Sequence, residues 1–208
     1  MMVPAHVLSG MVCLHLGQMV AKRKDGRTRW SNLPEWTWLA LGLIFAFLSH
    51  AVVDTLAIFT YHDGSPSGSL FSRLVFWGWM LGGAATIAWG LWTNVRYGYG
   101  MLMALIYDLW DHYLLRFTDG VLDGFPAGFM SRYTHRFEVL QLHRLEWFLL
   151  DNLFAGVERH YGDPRFVMVE ILFVGWLIAS LAFLRRWRPL IPGGEGENPN
   201  GKSRQYPP

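Results

Sequence analysis

The chain is poor in charge and nearly without cysteine. Asp, Glu, Lys and Arg make up 16% of its 208 residues, while apolar types reach 52%, more apolar surface than a soluble domain of this length needs. The single cysteine, Cys13, excludes an intrachain disulfide framework and any knuckle built from several thiolates. Metal chemistry here must rest on His, Asp and Glu. A net charge of +2 is too small to suggest nucleic acid. There is no Gly-x-Ser-x-Gly elbow and no His-Glu-x-x-His, which argues against covalent serine catalysis and zincin proteolysis. No internal repeat stands out. The first apolar run has its positive cluster after it and no small-x-small cleavage site, so it reads as part of the mature protein.

What is present is blocked hydrophobicity. Pro34 to Thr60, Leu74 to Trp92 and Phe166 to Leu184 each approach the roughly 20 apolar residues that cross about 30 Å of hydrocarbon. Val3 to Ala21 and Tyr99 to Phe117 are shorter or more polar but flanked by charges and aromatics, as membrane helices are. Basic residues gather at the ends of these runs: Lys22, Arg23, Lys24, Arg27 and Arg29, then Arg96, then Arg185, Arg186 and Arg188. The positive-inside rule puts all three groups in the cytoplasm. Five crossings and an external N-terminus follow.

The segment Phe137 to Arg159 then stays on one side. Its Glu138, His143, Arg144, Glu146, Asp151, Glu158 and Arg159 interrupt Leu, Trp and Phe, the pattern of an amphipathic interfacial or re-entrant helix. Gly120, Gly124, Pro126 and Gly128 mark a loop before it. Residues 1–188 read as one transmembrane helical domain, and 189–208, rich in Pro and Gly, as a disordered cytoplasmic tail. Gly78-x-x-x-Gly82 with Gly83, Ala84 and Ala85 is a small-residue face that predicts close packing of the third helix.

Against this apolar ground the buried acids and imidazoles stand out. A charge at the bilayer centre costs about 2.5–3.5 kcal/mol even on lenient insertion scales, so such groups need pairing, solvation or a metal. His50 and Asp54 are four apart and share a helical face, as do Asp108 and His112, with Asp111 on the same side as Asp108. Imidazole with carboxylate suits zinc, and also manganese or iron, with a position left for water. In the five-crossing topology His6, His50, Asp54, His62, Asp108, His112 and the start of the amphipathic segment at His143 all fall toward the external side. Charge bias fixed that topology without using them. Hydrogen-bonded clamping of the bundle, or a proton relay, employs the same residue types. His15 falls in the cytoplasmic half and reads as structural.

Ala5-His6-Val7-Leu8-Ser9-Gly10 is similar to the Thr-His-x-x-x-Gly start of the small polytopic membrane-bound metal-dependent hydrolases. Leu48-Ser49-His50-Ala51-Val52-Val53-Asp54 resembles their Ser-His-x-x-x-Asp helix, and Tyr107-Asp108-Leu109-Trp110-Asp111-His112 their Pro-Asp-x-Asp-His element. Their His-Arg-Gly-x-Thr-His-Ser segment is absent, with Leu142-His143-Arg144-Leu145-Glu146-Trp147 in its place, and the motif order differs. The order is closer to that of a second group of small membrane proteins, with a His-Asp like His62-Asp63 after the Ser-His-x-x-x-Asp helix. The resemblance implies a divalent metal, zinc before manganese, held by His50, Asp54, Asp108 and His112, with His6 or Asp111 as further ligands.

The expectation is an all-α polytopic bundle of about five spans in a bacterial inner membrane. It carries a metal-dependent hydrolase site for a lipid-like ester or phosphoester, with Asp111 or Glu146 as general base and His62 and His143 as additional site residues. The competing expectation is a non-enzymatic membrane protein, either a scaffold or assembly partner of another membrane protein or a proton or ion conduit.

Overall fold

The computed structural model describes residues 3–21, 34, 36–60, 68–110, 142, 144–157, 163–187 and 190. They form helices α1 (Val3–Ala21), α2 (Thr37–Leu56), α3 (Leu70–Thr93), α4 (Tyr97–Asp108), α5 (Arg144–Leu153) and α6 (Val167–Trp187), with short 3-10 turns at Ala57–Phe59 and Pro164–Phe166. No strand occurs among the described residues. The protein is all-α. Among the described residues four helices are long and apolar enough to cross a membrane: α1, α2, α3 and the continuous stretch Pro164–Trp187. α4 has 12 residues, about 18 Å, and passes into a π-helical turn at residues 109–110. The remainder of the expected fourth span lies outside the described residues.

Local chemistry sets the ends. Pro4 sits in the first turn of α1, where its missing N–H has no intrahelical partner to lose. Ser69 caps α3 by accepting from the Ser72 N–H at 3.2 Å. Asn94 closes the same helix, its N–H donating to the Gly90 carbonyl, and its side chain accepts from the Arg96 N–H at 3.0 Å. That tight turn makes α3 and α4 antiparallel neighbours.

α1 is the axis of the bundle. It packs on α2, α3, α4 and α6, and 14 of its 19 residues are buried, against three in α3: Ser72, Gly83 and Gly90. Lipid offers no hydrophobic drive between helices, so association depends on close packing and hydrogen bonds, which small residues permit. A Cβ at Gly10 would strike the Gly100 carbonyl on α4, and one at Gly17 would strike the Gly42 backbone on α2. α3 meets α1 through Gly83, against Val3, and Gly90, against Met11, whereas Gly78 faces open space. The small-residue face of α3 is real, but its packing edge begins at Gly82 and Gly83. Helix register decides which glycine meets a neighbour.

The outer helices show lipid-type surfaces. Leu74, Trp77, Leu81 and Trp92 of α3, and Leu172, Trp176, Phe183 and Trp187 of α6, are exposed. Arg185 lies over the Trp89 ring at 5.3 Å, tying the last turns of α6 and α3 together at a basic end. Val3 meets α3 at Gly83, 13 residues or about 20 Å from Leu70. The N-terminal end of α1 therefore begins near the middle of α3, where the polar residues collect.

Candidate metal centre

α2 and α4 both run antiparallel to α1, side by side. Arg96 lies over the Trp38 ring at 5.7 Å near their first turns, and His50 reaches the Ala104 carbonyl near their last. Ser9 of α1 and Ser49 of α2 touch through their hydroxyls at 3.1 Å, each also donating back to its own helix, to the His6 and Ala46 carbonyls. Above this seam His6, His50 and Asp54 converge. Among the described residues they form the one group of His, Cys, Asp or Glu whose ligand atoms all lie within 4.8 Å of one another. Both imidazoles are 0% exposed and Asp54 is 8% exposed, so bulk water contributes little to their charge balance.

Asp54 bridges the two rings. Its Oδ1 is 2.9 Å from His6 Nε2 and its Oδ2 is 3.0 Å from His50 Nε2. His50 Nδ1 lies 2.6 Å from the Ala104 carbonyl oxygen. A carbonyl only accepts, which assigns the proton to Nδ1 and, in the neutral ring, leaves a lone pair on Nε2. That lone pair faces a carboxylate oxygen. His6 Nε2 is close to Oδ1 but not aligned for a hydrogen bond, and His6 Nδ1 has no hydrogen-bond partner. The His50 lone pair and the carboxylate thus face each other in one small volume, with His6 Nε2 beside them, an arrangement that needs a cation between them, either a proton or a metal ion. An imidazole whose second nitrogen donates to a backbone carbonyl is the usual outer support of a metal-bound histidine.

Stacking fixes the ring planes. His50 lies between His6, at 4.3 Å and 22°, and Tyr107 of α4, at 4.4 Å and 13°, with Phe47 beyond Tyr107 at 4.8 Å. Protonating both stacked imidazoles would bring two positive charges together, a repulsion of about 4 kcal/mol at an effective dielectric near 20. One carboxylate between two neutral imidazoles and a divalent ion avoids that repulsion. Two imidazoles and a carboxylate form a three-ligand set of the kind that leaves a coordination position open in catalytic zinc sites and in non-haem iron sites.

Of the residues expected from sequence, the structure brings His6, His50 and Asp54 together. Asp108 ends α4 and is 5% exposed. It lies one helical turn beyond Ala104, level with Asp54, but outside the three-residue group. His62, Asp111, His112 and His143 lie outside the described residues, and Glu146 falls on α5, whose residues 144–147 have no described side chains. α5 itself packs on α2, and Phe154, just beyond its end, meets Phe59 edge-on at 6.0 Å. His15 is structural, its Nε2 2.8 Å from the Tyr97 hydroxyl. Sequence reading missed Ala104 and Tyr107, the two residues of α4 that orient His50. The chain also carries Gly196-Glu-Asn-Pro-Asn-Gly201-Lys202-Ser203, which has phosphate-loop spacing. Such a loop needs a strand before and a helix after it, and this stretch lies outside the described residues. No protein family, curated protein or solved structure matches this chain. The functional reading rests on its own residues.

Proposed function

We propose that the chain is a membrane-embedded, metal-dependent hydrolase of a lipid-like ester or phosphoester, with its ion held by His6, His50 and Asp54. One observation carries the reading: Nδ1 of His50 is committed to the Ala104 carbonyl while its Nε2 faces the Asp54 carboxylate that His6 also faces. The donor set fits zinc, and manganese is the alternative. The motifs resembling the membrane-bound metal-dependent hydrolases include all three of these residues.

A divalent ion bound there supplies Lewis acidity, polarising an acyl or phosphoryl oxygen and lowering the pKa of water toward neutrality. Ala104 and Tyr107 orient the His50 ring. Asp54 balances charge, and Asp108, one helical turn beyond Ala104, is our candidate to accept a proton from water. Asp111 and Glu146 remain alternative bases. In the cell the centre would face the external half of a bacterial inner membrane, with the N-terminus outside and the C-terminal tail in the cytoplasm.

The test uses full-length protein in lipid discs, stripped with a chelator and reloaded with zinc or manganese. The probes are a fluorogenic acyl ester and a fluorogenic phosphodiester, each with a lipid tail. Metal-dependent turnover of one of them, lost in Asp54→Ala and His50→Ala, is the expected result. If the loaded protein turns over neither probe faster than Asp54→Ala, the hydrolase reading falls. The centre is then a structural clamp or, where a pH gradient drives flux that Asp54→Asn abolishes, a relay.

A further inference from the structure

α6 turns one narrow face inward, and that face is regular. Its buried residues are Glu170, Leu177, Leu181 and Leu184, the seven, four and three spacing of a helix seam, and among the other long helices it packs on α1. Three of the four are leucine. The fourth is an acid that is 0% exposed, and neither of its carboxyl oxygens has a hydrogen-bond partner. A leucine at this position would complete the seam with no polar group to satisfy. Packing does not account for the acid, and intramembrane acids without a structural partner mark proton or ion chemistry.

Its surroundings supply little charge. α1 carries no Lys, Arg, Asp or Glu, and its titratable side chains are His6, Cys13 and His15. On α3 the charged residue is Arg73, and the Trp79 indole neighbours Glu170, its own N–H buried without an aligned acceptor. The basic residues of α6, Arg185 and Arg186, are in its last turn. Among the described residues the acid forms no ion pair.

We propose that Glu170 is a proton-binding site: a carboxyl group that holds one proton within the α1–α6 seam, on a helix that contributes nothing to the His6, His50 and Asp54 group. Full burial disfavours the charged form, and a proton is the smallest cation able to neutralise it where no base is paired with it. The site stands whether or not the metal centre is hydrolytic.

The test is labelling of full-length protein in lipid discs with the lipid-soluble reagent dicyclohexylcarbodiimide, near neutral pH. An acid oxygen adds to the central carbon of the reagent while the acid proton passes to its nitrogen, and rearrangement leaves a stable acylurea readable by peptide mass. The expected result is one adduct per chain at Glu170, absent in Glu170→Gln and unchanged in Asp54→Ala. Infrared spectra supply the second measurement, in which Glu170→Gln should remove a protonated carboxyl band from the wild-type spectrum. The band decides where the reagent fails to reach the acid. Loss of an ionised carboxylate band instead, with Glu170 unlabelled, overturns the proposal. Glu170→Leu, which fills the seam, serves as a folded control and should melt above the wild type.

Discussion

His6 and His15 are the same residue type on the same helix, both fully buried, yet they do opposite work. His15 meets the Tyr97 hydroxyl at 2.8 Å, a group that can donate or accept, so either tautomer is satisfied. His6 meets a carboxylate that a second imidazole also faces, and with that carboxylate ionised and both rings neutral the His50 Nε2 lone pair meets an oxygen that cannot donate to it. Burial of a histidine therefore says little by itself. What the imidazole faces, a hydroxyl or a shared carboxylate, separates a structural histidine from a candidate ligand.

The largest effect belongs to Asp54→Ala, which removes one donor and the link between the rings; zinc affinity, measured by competition with a chelating dye, should fall by more than the roughly 10–100-fold typical of outer-shell changes. Gly100→Val comes next, because its added atoms run into the Gly10 carbonyl. It should destabilise the bundle by at least about 1–3 kcal/mol in thermal melts and loosen the metal as α4 is pushed away. His15→Leu should cost about 1–3 kcal/mol of stability by stranding the Tyr97 hydroxyl, with metal affinity unchanged. Gly78→Ala, where a Cβ meets nothing, should move stability by less than about 0.5 kcal/mol. A His15→Leu protein that loses its metal, or a Gly78→Ala protein that unfolds, would erase the distinction between the two ends of α1.

Much of the bundle was legible because lipid imposes a coarse rule: apolar runs of span length become helices, and polar groups inside them must find partners. His50 and Asp54 announced themselves by four-residue spacing within such a run, and His6 by falling at the same depth. Ala104 and Tyr107 carried no signal. A backbone carbonyl has no residue identity, and an aromatic in an apolar helix looks like any other. Gly10 and Gly17 are as small as Gly78, but only register shows that they lie against Gly100 and Gly42. Glu170 escaped notice because a lone acid near a helix start resembles a boundary residue, and its place in the leucine seam emerges only once α6 is set against α1.

The two buried histidines of α1 differ in kind, one meeting a hydroxyl and the other a carboxylate shared with a second imidazole. Metal analysis of wild type, His6→Ala and His15→Ala, purified side by side in mild detergent and reconstituted with zinc, tests it most directly. The account predicts close to one ion per chain in wild type and His15→Ala, and a near-complete loss in His6→Ala. Absence of stoichiometric metal in the wild type, or equal occupancy in all three proteins, would contradict it.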